Sequence, residues 1–447
     1  MSTEVYNENF PVETIPDIDR AIQTGMFDKT YSAAACIASK GSKIFHRAVY
    51  GNYADPPPVS KIDHAALFDL ASLAKPLGAG LAALHLVSKG RLDLSASLAA
   101  TLPEFKQSKY ANVTIDMLLD HCSGFPALHP LWEELSKADL TLPDEEKVCG
   151  TARSNGPAKK IISALNLKNE PGRVVEYSDV GFIILSWIIE DIVKKPLDQF
   201  LFQEIYRPLG IAEDFFFVRQ GDYKQGRQLM RRKFVATEDC PLREKVMLGE
   251  VHDPNAWALG GVAGHAGLFG TIDATWSLVH RLWLAYKGID RFFLSGTVRR
   301  FWKRSRRIPK TTRTLGWDTP TAHGSMAGKR FSLNTVGHLG FTGTSVWLDL
   351  STDIVKRGGK INLFGWIKGE QATFVPHKWH LGGFTVVNSA PASKMRDAFG
   401  PAIQLIHKGI IDLKPLVTHT VTLSGYPRLM EQILAGDESY VKGVVTL

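Results

Sequence analysis

The stretch FDLASLAKP, residues 68–76, restricts the fold and the chemistry of this protein more than any other part of its sequence. Ser72 and Lys75 stand three positions apart in it, and an apolar pattern typical of a helix runs from Leu73 to Ser88. Residues three apart lie on the same helix face, so the Lys75 amine can reach the Ser72 hydroxyl. A serine hydroxyl becomes an effective nucleophile beside a base, and a helix N-terminus directs N–H groups at developing negative charge. The stretch therefore predicts an activated serine.

The neighbours of Lys75 fit this interpretation. Lysine acts as a base only after losing its proton, and an apolar pocket lowers the pKa of a lysine. Four apolar residues supply such a setting, namely Leu70, Ala71, Leu73 and Pro76. Spacing alone is weak evidence, however, because Ser439 and Lys442 repeat it near the end of the chain. Further motifs must therefore support Ser72.

The first of these motifs is Tyr177-Ser178-Asp179, which precedes an apolar run that begins at Val180. The pattern predicts a helix from Val180 onward, with Tyr177 directly before it. A tyrosine hydroxyl near Ser72 can relay protons to a leaving group, first as a general base and then as a general acid.

The second motif is His338-Leu339-Gly340, which precedes a strand predicted over residues 341–350. The edge of a strand beside the nucleophile supplies a further N–H for an oxyanion hole. Gly340 allows substrate to approach the backbone closely because it has no side chain. Both triplet patterns recur elsewhere in the chain, so neither identifies an active site alone. The evidence is the order in which they follow Ser72 along the chain.

Composition and charge limit the classes of protein that this chain can belong to. The 447 residues are 44% hydrophobic and 22% charged, which excludes a disordered chain, a collagen and a coiled coil. The four cysteines form no CxxC pair, so neither a disulfide framework nor a zinc knuckle is expected. The net charge of the chain is +8. Residues 299–313 contain eight basic residues and no acidic one, so this stretch accounts for the whole net charge. We expect a solvated basic face there, with an anionic substrate or partner as the alternative, and no nucleic-acid partner.

Strand patterns lie towards both ends of the chain and helical patterns lie in the middle. The predicted elements are a helix over 12–29, a hairpin of strands over 33–39 and 43–50, a helix over 273–286, strands over 361–367 and 384–388, and a helix over 396–407. We therefore expect a single α/β unit over residues 1–447. Residues 1–71 and 262–447 form its α/β lobe, and residues 72–261 form an inserted, mainly helical lobe.

No targeting segment or cofactor motif is recognised. The N-terminus has neither a basic nor an apolar signal region, so we expect a cytoplasmic protein, or a periplasmic one if a signal has been removed. The most apolar run, Val180–Ile189, is too short to span a bilayer. The glycine-dense segment 260–270 matches no nucleotide-binding pattern, and no metal-ligand spacing is found. The prediction is no cofactor, no metal and no membrane span, with the oligomeric state open.

Taken together, these residues resemble the serine β-lactamase and penicillin-binding-protein superfamily. The similarity is greatest to the branch with class C β-lactamases, D-stereospecific peptidases and family VIII esterases. It rests on six stretches in order: FDLASLAKP (68–76), LLDHCSGFPAL (118–128), PGRVVEYSDVGF (171–182), VHDPNAWALGGVAGHAGLFGT (251–271), LGWDTP (315–320) and GHLGFTGTSVWLDL (337–350). The resemblance implies an antiparallel sheet flanked by helices with an inserted all-helical lobe. It leaves residues 353–383 without a role.

The resemblance also implies roles for individual residues. Ser72 would be the acyl-forming nucleophile, Lys75 its base partner and Tyr177 the catalytic tyrosine. The backbone N–H groups of Ser72 and Phe341 would form the oxyanion hole. The substrate would be bound by Asp179, His338 and Gly340, with Phe125 and Trp317 lining the cleft.

Two departures from the family pattern bear on the substrate. Asp179 stands where the family commonly has asparagine, and an ionised carboxylate cannot donate a hydrogen bond. His338 stands where β-lactamases have lysine, so a permanent cation for a substrate carboxylate is lost. With a pKa near the reference value of about 6.5, His338 would gain charge towards pH 6.

The expected activity is cleavage of a small-molecule ester, amide or peptide-like substrate through an acyl-Ser72 intermediate. A β-lactamase or D-amino-acid peptidase is the first alternative. A catalytically silent binding protein on the same fold is the second.

Overall fold

The protein is described by a computed structural model. It covers residues 16–27, 31–53, 60–220, 233–241, 243–321, 324–328 and 331–351, with short strands at 361–362, 386–387, 419–422 and 443–446. Contacts divide the chain into two units, residues 1–354 and 355–447. The first unit contains all the candidate site residues.

The described part of the first unit begins with a helix and a hairpin, as the sequence predicts. Helix α1 (Pro16–Phe27) is followed by β1 (Ala33–Lys40) and β2 (Lys43–Gly51), which pair antiparallel. Gly41 lies in the turn between the strands with a φ of +59°, a conformation that glycine adopts at little cost.

Helices fill the middle of the first unit. They are α2 (Gly80–Ser88), α3 (Leu98–Thr101), α4 (Ile115–Leu119), α5 (Leu131–Asp139), α6 (Asn155–Ser163), α7 (Asp179–Val193), α8 (Leu197–Leu201), α9 (Pro254–Ala258), α10 (Ile272–Tyr286) and α11 (Ser295–Phe301). Short 3₁₀ turns lie at Pro103–Phe105 and Ala152–Ser154, and a π-helical turn at Phe202–Tyr206.

Helix α7 is the central helix of the core. All ten residues of Val180–Ile189 are buried, which explains why this run is apolar on every side. The Ser178 side chain caps the helix by accepting a hydrogen bond from the N–H of Gly181. The cap fixes the start of α7, and Tyr177 therefore stands directly before a rigid element.

The FDLASLAKP stretch begins with one strand of a small antiparallel sheet. Strand β7 (Leu268–Gly270) lies between β3 (Phe68–Asp69) and β4 (Phe215–Phe217). A short pair, β5 (Asp239–Cys240) and β6 (Lys245–Val246), is also antiparallel.

The single helix predicted from Leu73 to Ser88 consists of three pieces. A 3₁₀ turn over Ala71–Leu73 is followed by a π-helical turn over Lys75–Ala79 and then by α2. Pro76 has no N–H to donate to the preceding turn, which accounts for the irregular start. π-Helical turns occur frequently at functional sites.

The strand predicted over residues 341–350 begins later than expected. Strand β8 (Thr335–Leu339) pairs antiparallel with β9 (Ser345–Asp349), and His338 is therefore part of a strand. A tight turn connects the two strands, in which the Gly340 N–H donates to the Thr344 carbonyl at 2.7 Å. The predicted strand ran through this turn, in which Gly343 has a φ of +85°.

In the second unit, β10 (Ile361–Asn362) pairs parallel with β11 (Val386–Val387), and β12 (His419–Thr422) pairs parallel with β13 (Gly443–Thr446). The helix predicted over 396–407 lies outside the described residues. Helices and antiparallel strand pairs in the first unit confirm the predicted α/β class. The boundaries of the two lobes stay a prediction.

Candidate active site

Ser72 and Lys75 meet at the start of the helical segment. The Lys75 Nζ donates to the Ser72 Oγ at 2.8 Å, so the contact predicted from their spacing is present. Ser72 is partly accessible, whereas the Lys75 side chain is fully buried. The preceding residue, Ala71, has a φ of +46°, an unusual conformation for a residue with a side chain. Such backbone conformations persist where the surroundings enforce them.

Asp69 enforces the conformation of this loop. One of its carboxylate oxygens accepts from the Ala71 N–H at 2.8 Å, and the other accepts from the His252 N–H at 2.8 Å. Burial raises the pKa of Asp69 to about 6, against the opposing effect of the two N–H donors. The loop that presents Ser72 is thus tied to residue 252 through one buried carboxyl.

Lys75 lies among groups that favour its charged form. Its Nζ is 2.7 Å from the Asp179 Oδ1 and 4.6 Å from the centre of the Tyr177 ring. Burial lowers the pKa of Lys75, but Tyr177 and Asp179 raise it by more, so that pKa lies above its ordinary value. The expectation that an apolar setting lowers the pKa of Lys75 is therefore wrong, because Tyr177 and Asp179 lie beside the amine and outweigh burial. The raised pKa favours the ammonium form of Lys75.

Tyr177 is held by a histidine that sequence reasoning did not place in the site. The His121 ring lies 4.7 Å from the Tyr177 ring, and its Nδ1 accepts from the Ser178 N–H at 3.0 Å. Burial, with Arg313 and Lys75 nearby, holds the pKa of His121 well below its ordinary value. His121 therefore stays neutral and can accept this hydrogen bond. Its position within the quoted stretch LLDHCSGFPAL was the available signal.

His338 is a buried neutral imidazole. Its Nδ1 lies 2.7 Å from the Leu339 carbonyl oxygen, which can only accept, so Nδ1 carries the proton. Burial first, and then Lys75 and Arg313, lower the pKa of His338 to about 3. The expectation that His338 gains charge towards pH 6 is therefore wrong. Its Nε2 is a buried acceptor without a partner among the described residues.

The turn after His338 is attached to the nucleophile loop. The Thr342 hydroxyl donates to the Asp69 carbonyl at 2.7 Å, and the Thr344 hydroxyl donates to the Leu70 carbonyl at 3.1 Å. A Cβ on Gly340 would lie 2.0 Å from the Thr344 Oγ1 and 2.7 Å from the Leu70 oxygen. The absence of a side chain at Gly340 thus allows the turn to approach Ser72.

A pocket of about 390 Å³ opens onto these groups. Five predicted site residues line it, and four further residues complete it: Ser72, Tyr177, His338, Gly340 and Phe341, with Arg313, Asp318, Leu339 and Trp347. Arg313 pairs with Asp318 at 3.2 Å, and its guanidinium carbon lies 5.2 Å from the centre of the Tyr177 ring. Arg313 is therefore a pocket residue that sequence reasoning did not single out.

Two residues predicted to line the cleft are in the core instead. Phe125 is 0% exposed and stacks on Tyr110, with ring centres 3.6 Å apart. Trp317 is 3% exposed and packs edge-on against Trp302. Neither residue is among those that line the pocket.

A second polar cluster lies behind Lys75. The His265 Nε2 and the Asp253 Oδ1 are 2.8 Å apart, and ligand-type atoms of Asp179, Asp253 and His265 lie within 4.8 Å of one another. Burial raises the pKa of Asp253, but His265, the N–H of Ala256 and Lys75 outweigh it and lower that pKa to about 2. Asp179 pairs with Lys75, so an ammonium ion supplies positive charge to this cluster.

The basic stretch 299–313 is only partly a solvated face. Four of its arginines are bound to the rest of the chain: Arg299 donates to the Tyr286 carbonyl, Arg304 donates to the Pro320 carbonyl, Arg307 pairs with Asp116 and Asp120, and Arg313 pairs with Asp318. These bonds fix the segment that ends at Arg313.

Within the described part of the chain, no helix is long and apolar enough to cross a membrane.

Comparisons with known proteins agree on one family. The family model described as Beta-lactamase matches residues 18–356. A protein of Escherichia coli (strain K12) named as a D-alanyl-D-alanine carboxypeptidase is 30% identical over 369 residues, which cover 76% of this chain and 80% of that protein. An N-acetylmuramyl-L-alanine amidase of Bacillus subtilis (strain 168) is 27% identical over 354 residues, covering 74% and 76%.

A solved structure of similar fold is EstCE1, described as a hydrolase with promiscuous acyltransferase activity. It matches with a TM-score of 0.56 at 17% identity, covering 75% of this chain and 90% of that chain. At this identity the likeness concerns the fold alone. It confirms the predicted antiparallel sheet with flanking helices as the architecture.

Proposed function

This chain belongs to the Beta-lactamase family and is a serine hydrolase of that family, and we propose that it cleaves an ester or amide through an acyl-Ser72 intermediate. The observation that carries this proposal is the 2.8 Å contact between the Lys75 Nζ and the Ser72 Oγ, in a pocket that Tyr177 also lines. A buried lysine within hydrogen-bond reach of a partly accessible serine is the arrangement that positions a serine nucleophile.

The charge of Lys75 determines how the proton moves. Because the Lys75 ammonium donates to the Ser72 Oγ, the hydroxyl proton of Ser72 is directed to another acceptor. We assign this role to the Tyr177 oxygen. As the Ser72 Oγ bonds to the substrate carbonyl carbon, the Tyr177 oxygen takes the serine proton as general base; it then passes a proton to the leaving oxygen or nitrogen as the bond from that atom to the carbonyl carbon breaks. Water then attacks the acyl-enzyme, and the same relay returns a proton to Ser72.

The oxyanion formed in each step is assigned to two backbone donors. The N–H of Ser72 lies in the first turn of a helical segment, where N–H groups have no intrahelical acceptor. In the turn after β8, the hydrogen bonds of the described residues use the N–H of Gly340 and Gly343 but not that of Phe341. Two preorganised donors of this kind stabilise developing negative charge.

Amide and peptide substrates are favoured by the relatives. One is named a carboxypeptidase and another an amidase, and both names describe cleavage of C–N bonds. Asp179 has a role other than substrate binding in this proposal, because its carboxylate pairs with Lys75. It keeps Lys75 charged and holds it between Ser72 and Tyr177.

Hydrolysis of a p-nitrophenyl ester and of an acylated dipeptide tests the proposal. We expect Ser72→Ala to lower kcat/KM for both substrates by about 1,000-fold or more. Ser439→Ala is the matched control, since it alters the second S-x-x-K of the chain and leaves the rate unchanged. A Ser72→Ala protein within about tenfold of the unmodified rate would overturn the proposal. An unmodified protein that binds but never cleaves would favour the silent binding protein.

A further inference from the structure

We propose that the basic segment after α11 forms a second binding site, separate from the Ser72 pocket, that binds the phosphate group of an organic phosphate ester. The site is a cavity of about 560 Å³, called here the basic pocket. The end of α11, the segment after it and the start of β8 line it, and four of its lining residues are cations: Arg299, Lys303, Arg304 and Arg306. Its volume lies within the range of small-molecule sites, roughly 300–1,000 Å³.

The basic pocket concentrates positive charge that the chain does not neutralise. None of the residues that line it is acidic. Within the described part of the chain, no carboxylate forms an ion pair with any of its four cations. Elsewhere in the same basic stretch, Arg307 pairs with Asp116 and Asp120, and Arg313 pairs with Asp318. The cations of the basic pocket are therefore available to an anion from outside the chain.

The backbone holds two of these cations in place. The Arg299 Nε donates to the Tyr286 carbonyl at 2.9 Å, and the Arg304 Nη2 donates to the Pro320 carbonyl at 3.2 Å. Carbonyl acceptors fix a guanidinium group without cancelling its charge, and each guanidinium has five N–H donors. Both arginines thus keep further donors in a planar fork, which is the geometry that binds phosphate oxygens.

Two buried donors of the basic pocket lack a partner. Trp302 is 4% exposed and Thr335 is 0% exposed, and both residues line the pocket. The Trp302 Nε1 and the Thr335 Oγ1 have no hydrogen-bond partner among the described residues. A buried polar atom without a partner is costly, and the oxygens of an anion can accept from both groups. This observation points to a ligand independently of the charge.

The chemistry of the walls favours an organic phosphate over a carboxylate. A phosphate monoester carries a charge of about −1.5 to −2 at pH 7 and has three acceptor oxygens, which suits several cations in one pocket. A carboxylate carries one charge on two oxygens. The walls also include the half-buried Tyr286 and Leu333, which is 61% exposed. An aryl or alkyl group on the phosphate would cover this apolar surface.

The basic pocket is distinct from the Ser72 pocket. The two share no lining residue, although β8 contributes to both. Thr335 and Val336 line the basic pocket, whereas His338 and Leu339 line the Ser72 pocket. A phosphate ester and a substrate at Ser72 can therefore bind at the same time.

Calorimetric titration of the full chain with phenyl phosphate tests the inference. At about 0.15 M ionic strength, where exposed charges are screened, we expect a dissociation constant below about 1 mM. Arg304→Gln, or Lys303→Gln combined with Arg306→Gln, should weaken this binding by about tenfold. Arg300→Gln is the matched control, because it removes the same charge from α11 outside the basic pocket and should leave binding unchanged. Unchanged hydrolysis of a p-nitrophenyl ester would show that each variant is folded.

Two further comparisons identify the bound group and its source. Benzoate should bind about tenfold more weakly than phenyl phosphate. Phosphatidylcholine vesicles are compared with and without phosphatidic acid. Capture by phosphatidic acid that Arg304→Gln abolishes would assign the phosphate to a lipid headgroup, whereas binding of phenyl phosphate alone would assign it to a soluble ester.

Four outcomes would overturn the inference. The first is a dissociation constant above about 1 mM for phenyl phosphate together with no capture by phosphatidic acid, which would leave only a solvated basic face. The second is equal binding of benzoate and phenyl phosphate. The third is equal weakening by Arg304→Gln and Arg300→Gln, or by neither. The fourth is competition between phenyl phosphate and the ester, which would place the probe at Ser72.

Discussion

Asp179→Asn removes one partner of the ion pair with Lys75, and we expect it to lower the free energy of unfolding. The two charges are 2.7 Å apart, and the side chains are 0% and 21% exposed. Removing one partner of a buried pair commonly costs about 3–5 kcal/mol. Asp179 is partly accessible, and Lys75 keeps its bond to the Ser72 hydroxyl. We therefore expect the free energy of unfolding at pH 7 to fall by about 2–3 kcal/mol.

The pH dependence of this loss follows from the raised pKa of Lys75. A raised pKa in the folded state stabilises the protein below the unfolded value of 10.5, and the stabilisation is lost as pH rises through the folded pKa. Asp179→Asn lowers the pKa of Lys75. The stability difference between the two proteins should therefore be largest near neutral pH and shrink in alkaline solution. The alkaline limb of the kcat profile should move to lower pH.

Urea unfolding followed by tryptophan fluorescence, at pH 7 and at a pH above 10.5, measures both effects. Asp191→Asn is the matched control, because Asp191 pairs with Lys194 at the same 2.7 Å from the same helix, with side chains 50% and 75% exposed. An exposed pair of this kind contributes about 0.5 kcal/mol or less. Equal losses in the two variants, or a loss below about 0.5 kcal/mol for Asp179→Asn, would refute the reasoning.

Three further predictions concern the site and its surroundings. If Lys75 and Tyr177 act as one unit, Lys75→Ala and Tyr177→Phe each slow ester hydrolysis, and the double variant is no slower than the worse single one; additive losses in log rate would contradict this. Gly340→Ala should lower kcat/KM about 100-fold, because the added Cβ would lie 2.7 Å from the Leu70 oxygen and displace the turn. A kcat/KM within about threefold of the unmodified protein would contradict the importance of this close approach. Phe125→Leu should lower the free energy of unfolding by about 1–2 kcal/mol and leave KM unchanged, because Phe125 lies in the core. A changed KM at unchanged stability would indicate instead that Phe125 contacts the substrate.

Local patterns in the sequence predicted the elements that position the nucleophile. The three-residue spacing of Ser72 and Lys75 fixed their contact, and the apolar run after Ser178 predicted the buried helix α7. The hairpin of β1 and β2 followed from two strand patterns around Gly41. These features depend on neighbours within a few residues, so they can be read from one segment at a time.

Features that depend on distant segments were not predictable in this way. The pKa of Lys75 depends on Tyr177 and on Asp179, which the start of α7 brings beside it, and no pattern around Lys75 records that approach. Arg313 lies in the pocket because its segment is fixed through Arg307 and Asp116. The turn between β8 and β9 and the burial of Trp317 likewise depend on packing between segments.

The most direct test of the account is the identity of the residue that becomes acylated. The protein is mixed with excess p-nitrophenyl butyrate, quenched in acid within seconds, and analysed by mass spectrometry intact and after digestion. The account predicts one butyryl group, located on the peptide that contains Ser72 and absent from the Ser72→Ala protein. A butyryl group on another residue, or one that persists in the Ser72→Ala protein, would contradict it.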